Sequence, residues 1–178
     1  MKLAILLAVS LLASVPAAAQ IVRKPATAED RRANDPKVPD SYVLNGRFDR
    51  ILVLRAKNKT DLLTEMEKQV KAQNIKNAVI LSGIGSVRGY RLHNVAGRDY
   101  PVPDMFFSAP STPADFIAMQ GYINNGVIHA HVVLALGDNK GTTVSGHLEK
   151  GTEVLTFAVV TLGVLNTDLG RVDDATYR

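Results

Sequence analysis

From Val154 to Asn166 the chain carries no charge: Val154-Leu155-Thr156-Phe157-Ala158-Val159-Val160 runs on into Thr161-Leu162-Gly163-Val164-Leu165. A near-continuous apolar run of this kind suits a strand covered on both faces. It belongs at the centre of a sheet, and the rest of the chain has to supply its neighbours.

The segments upstream are of the right kind. Ile51-Leu52-Val53-Leu54-Arg55 reads as a strand, and Tyr42-Val43-Leu44 and Phe48 flank Asn45-Gly46, a dipeptide suited to a hairpin turn. Thr60 fits a helix N-cap with Asp61 in the first turn, and Leu62, Leu63, Met66 and Val70 recur at helical spacing to about Gln73. Ala78-Val79-Ile80-Leu81 is a short buried strand, Ser82-Gly83-Ile84-Gly85-Ser86 a tight turn after it, and Val87 to Val95 a further strand. Four prolines between Gly97 and Pro113 (Pro101, Pro103, Pro110, Pro113) predict an edge strand or an irregular loop. Strands over 116–123, 127–136 and 144–149 complete the set. The expected fold is a single α/β (α+β) domain over 42–166, a mixed and mostly antiparallel sheet with one main amphipathic helix.

The N-terminus sets the compartment. Lys2, the apolar run from Leu3 through Ala13 and Ala17-Ala18-Ala19 before Gln20 match a secretory signal peptide over residues 1–19. A periplasmic or secreted protein is expected, with no membrane span once the leader is cleaved. The chain has no cysteine, so its stability must come from the core and not from disulfides. Residues 20–41, with Pro25, Pro36 and Pro39 among alternating charges, read as a flexible lead-in, and 167–178 as a polar tail. The net charge is +4, and Lys2 is the only charge in the leader, which leaves +3. That is too mild a charge to argue for nucleic acid or an anionic membrane.

His129 and His131 stand two apart on a predicted strand, so both rings share one face, and Ile128, Ala130, Val132, Leu134 and Leu136 turn to the core. The turn Gly137-Asp138-Asn139-Lys140-Gly141 leads into a strand carrying Gly146-His147. A hairpin symmetric about Asn139 sets Ala135 opposite Thr143, Val133 opposite Ser145 and His131 opposite His147. Opposed side chains project to the same side, so three imidazoles converge on a spot suited to a divalent metal, zinc above others, with a fourth position open. A slip of one residue would undo this. His93 reads as surface or rim. Gly83-Ile84-Gly85 is a weak dinucleotide fingerprint, since no helix N-terminus follows it. The serines lack the pattern of a nucleophile elbow. Asp115 and Glu149 are the candidate catalytic carboxylates should the metal serve a reaction.

Several of these pieces together, Leu81-Ser82-Gly83-Ile84-Gly85-Ser86, Asp115-Phe116-Ile117, His129-Ala130-His131 and Gly146-His147-Leu148, make the chain resemble the plants-and-prokaryotes-conserved (PPC or PCC) domain family over about Arg50 to Leu165. The resemblance implies a mixed α/β fold, a homotrimer, and a metal site at His129, His131 and His147. It brings no established reaction, and it associates the domain with DNA binding through AT-hook segments in plants. This chain has no Arg-Gly-Arg-Pro hook, carries Asp115 where relatives have glutamate, and has Ala158 where they often have glutamate in the last strand.

The expectation is therefore an exported domain that binds a divalent metal, with zinc preferred, and through it a small anionic ligand. A metal-dependent hydrolase or lyase is the alternative, and a DNA-binding protein is the weaker one.

Overall fold

The charge-free run forms β8 (Glu153–Leu165) and has a strand on each side, as a run buried on both faces requires. One neighbour is β2 (Phe48–Lys57), the other β3 (Ala78–Val95). The computed structural model describes residues 19–170 and residue 172. Residues 1–18 of the expected leader, and residues 171 and 173–178 of the expected tail, lie outside the described residues.

Among the described residues the sheet is antiparallel at every pairing, and a single helix, α1 (Leu62–Ala72), packs Leu62, Met66 and Val70 into the core. Its cap falls one residue later than expected. Asp61 accepts from the Thr64 backbone N–H at 2.8 Å, whereas the Thr60 hydroxyl donates back to the Lys57 carbonyl.

The largest departure from expectation lies in β3, which runs unbroken for 18 residues where two strands and a turn were expected. Ser82-Gly83-Ile84-Gly85-Ser86 is part of the ladder to β8, with irregular register on either side. Its glycines serve close approach and not reversal: a Cβ on Gly85, at φ +152, would stand 2.3 Å from the Phe157 carbonyl oxygen.

The length of β3 organises the molecule. One of its edges takes β4 (Asp104–Ala109) and then β5 (Ala114–Asn124); the other takes β8 and then β7 (Thr143–Leu148). β5 pairs with β6 (Val127–Leu136), and β6 with β7. Four strands thus close on themselves, β3 to β5 to β6 to β7 and back to β3. Phe116, Leu92, Met119, Ile123, Leu134 and Val132 fill the inside of this closure, each almost fully buried.

Two further expectations are corrected. Residues 40–47 form no strand ahead of β2, so Asn45-Gly46 turns no hairpin; the Arg47 N–H donates to Asn166 Oδ1, and the partner of β2 is the distant β8. The tight Asn-Gly hairpin is instead Asn125-Gly126 between β5 and β6, with both residues at positive φ. At the start of the presumed lead-in, Gln20–Val22 forms a short strand, β1, on the outer edge of β4. The β-branched pair Ile21-Val22 meets an edge whose backbone groups would otherwise lack partners. Residues 23–47 contain turns but no helix or strand.

Candidate metal centre

The β6–β7 hairpin has the register that places His131 opposite His147, with Val133 opposite Ser145 and Ala135 opposite Thr143. His129 follows two residues from His131 on the same face, while Ala130, Val132 and Leu134 are buried behind. The three rings meet. Nε2 of His129 lies 3.2 Å from Nε2 of His131 and 2.9 Å from Nε2 of His147, and the rings of His131 and His147 are 3.9 Å apart between centroids. One ligand atom from each falls within 4.8 Å of the others.

Burial and mutual repulsion favour the neutral form of His131 and His147. Desolvation, followed by the neighbouring rings of His131, His93 and His129, pushes the His147 pKa down to about 4 against a small opposing effect of the His93 backbone. His131 is lowered by burial first and then by His129 and His93. Neutral imidazole is the form that binds a metal.

Two side chains beyond the predicted trio complete the surroundings. Tyr122, opposite His129 across the β5–β6 pair, places its hydroxyl 3.1 Å from His129 Nδ1. His93 on β3 is opposite His147 on β7 and stacks on it, with centroids 4.2 Å apart and planes inclined by 14°. Glu149 holds His93 through Oε1, 2.7 Å from Nδ1. His93 is therefore no rim residue, since its side chain is only 19% exposed.

Gly146 makes the β3–β7 contact possible. A Cβ there would stand 2.7 Å from the His93 carbonyl oxygen and 2.9 Å from Asn94 Oδ1. Asn94 in turn donates from Nδ2 to the Ser145 carbonyl, where the two strands begin to part. Beside that bridge a cavity of about 290 Å³ opens next to His131, bordered by Gln120, Val133 and Ser145.

The two candidate carboxylates separate. Glu149 adjoins the cluster through His93. Asp115 is exposed and pairs with Ala135, four residues along β6 from His131, roughly 13 Å away at the usual strand rise. Ala158, where the resemblance implies glutamate, is fully buried between β2 and β3 and faces the core.

Tyr122 could have been found from the sequence: a two-residue Asn125-Gly126 turn sets Asn124 opposite Val127 and hence Tyr122 opposite His129. His93 had no local signal, because three elements separate β3 from β7.

The fold has known counterparts. A metal-containing protein from Archaeoglobus fulgidus superposes with a TM-score of 0.58 at 22% identity, over 72% of this chain and 88% of that one. A plant- and prokaryote-conserved protein from Pyrococcus horikoshii gives 0.56 at 19% identity, over 72% and 87%. A hypothetical protein from Salmonella enterica gives 0.53 at 21% identity, over 65% and 78%. No curated protein matches. The model of the Plants and Prokaryotes Conserved domain matches residues 44–166, the stretch that runs from just before β2 to the end of β8, and the chain belongs to that family.

Proposed function

We propose that this protein is an exported domain that binds one divalent metal ion, zinc by preference, through Nε2 of His129, His131 and His147. The observation that carries this reading is the spacing of those nitrogens. Zinc–nitrogen bonds of about 2.0–2.1 Å in a tetrahedron imply nitrogen–nitrogen edges of about 3.3 Å. The distances of 2.9 and 3.2 Å are close to that. Tyr122 beside Nδ1 of His129 suits the arrangement, since a ligating imidazole ordinarily gives its other N–H to an oxygen. The fold relative from Archaeoglobus fulgidus, described as metal-containing, points the same way.

Three protein nitrogens leave a fourth position, and the cavity that adjoins the site at His131 has room for a small ligand. Gln120, Ser145 and Asn94 can hydrogen-bond to it. No charged side chain borders the cavity, so the metal would supply the attraction for an anion. Binding is favoured over hydrolysis or lyase chemistry, because Glu149 is engaged with His93 and Asp115 stands apart. DNA binding is disfavoured by the +3 charge, the missing hook and the expected export.

Assembly as a homotrimer is the second element of the reading. Ile51, Val53, Leu81, Ile84, Ile117 and Phe157 are 40–68% exposed. Ile51 lies across from Gly163, Gly163 from Val79, Val79 from Tyr122 and Tyr122 from His129, so this patch and the histidines share one face of the sheet. An apolar face of this kind invites burial against further copies.

Elemental analysis of protein purified without a histidine tag tests the metal reading. About one transition metal per chain is expected, and its loss in His131→Ala. A metal-free native protein that takes up no added zinc would refute it.

A further inference from the structure

The geometry points to His93 and Glu149 as a positioning pair that sets the orientation of His147 for metal binding. This inference rests on the three-histidine reading and extends it to residues outside the trio.

Within the trio, His147 is the member that stands opposite β3. Its Nδ1 is buried and makes no hydrogen bond of good geometry, whereas His129 has Tyr122 at its Nδ1. Rotation about the Cβ–ring bond would carry Nε2 of His147 away from that of His129, and only a weak contact with the His93 backbone opposes this from outside the trio. The stacked His93 ring does oppose it. At 4.2 Å and 14° it covers one face of His147, so a turned imidazole would collide with it.

A stacked ring can serve as a wall only if it is itself held. His93 is held on two sides: Glu149 binds its Nδ1 at 2.7 Å, and the Phe106 ring of β4 lies 5.2 Å from it on the adjoining strand. Phe106 in turn lies under the Arg91 guanidinium at 5.3 Å. The support therefore passes from β4 through β3 to β7, along directly opposed positions of the ladder. Gly146 is part of the same device, because only a residue without a Cβ lets the β3 backbone approach closely enough for the stack.

Cobalt(II) is the probe, since its visible absorption reports the geometry of its ligands and its titration reports affinity. In His93→Ala, cobalt binding is expected to weaken by about 10–100-fold, as for other groups that orient metal-bound histidines. The visible bands should shift in position or intensity. Glu149→Gln, at a half-exposed site, is expected to give a smaller loss and a smaller spectral change in the same direction. A folded His93→Ala protein with the wild-type spectrum overturns the proposal, whatever its affinity. Should His93→Ala fail to fold, a wild-type spectrum and affinity in Glu149→Gln overturn it instead. Wild-type protein that binds no cobalt, or His131→Ala that binds it normally, refutes the three-histidine site itself and the positioning role with it. Cobalt bound by wild type and lost in His131→Ala, with His93→Ala unchanged, leaves that site standing and removes only the role of the pair.

Discussion

A methyl group at position 146 has nowhere to go, because backbone oxygen and an amide side chain from β3 already occupy the space. Gly146→Ala is expected to push β7 away from β3 at an overpacking cost of about 1–3 kcal/mol. Calorimetry would show the lowered Tm, and a metal titration on the same protein should show weakened binding. A second prediction concerns acid. The lowered pKa values of His131 and His147 mean that the folded protein keeps these rings neutral where the unfolded chain protonates them. Below the ordinary imidazole pKa of about 6.5 the unfolded state therefore binds more protons, and stability falls with pH down to and through about 4. The metal-free protein should show a Tm that declines steadily over this window. His147→Gln should decline less steeply; an equal slope in the two proteins would mean that other groups govern the acid response.

Among the elements, α1 owes its start to Asp61. One carboxylate oxygen accepts from the Thr64 backbone and hydroxyl, at 2.8 and 2.7 Å, and the other accepts from the Gly151 N–H at 2.6 Å. The single side chain thus caps the helix and ties it to the connection between β7 and β8. Asp61→Ala should cost about 1–2 kcal/mol and lower Tm by about 2–8 °C. Metal content should not change, since the helix lies on the opposite side of the sheet from the histidines. The β6–β7 hairpin was legible in the sequence because its two strands are joined by one short turn and one face of β6 is strongly apolar, and together these leave a single register. The same logic holds for β5 and β6 around Asn125-Gly126 and fails at Asn45-Gly46, where the dipeptide has no second strand to turn back. β3 departs from the expected pair of strands for a related reason: glycines in a strand that coils between two sheet edges look locally like glycines in a turn.

At the scale of the molecule, the proposed trimer would bury the exposed apolar face. Val53 and Ile84 are 68% and 56% exposed, so lysines at both positions should leave the fold intact. Light scattering should find wild-type trimers and a monomeric Val53→Lys, Ile84→Lys double variant with unchanged metal content. A monomeric wild-type protein would count against the assembly. The strands β2, β6, β7 and β8, the helix α1, the central place of Val154–Leu165 and the meeting of His129, His131 and His147 all follow from local rules. Period-two alternation, helical spacing and one short hairpin act between residues near in sequence, and those rules need no knowledge of the rest of the chain. The stack of His93 on His147, the grip of Glu149 on His93 and the pairing of β1 with β4 join segments far apart in sequence. No local preference selects such partners. They are selected by the closure of β3, β5, β6 and β7 around one core, because only the burial of that core sets which residues of β3 and β7 stand side by side.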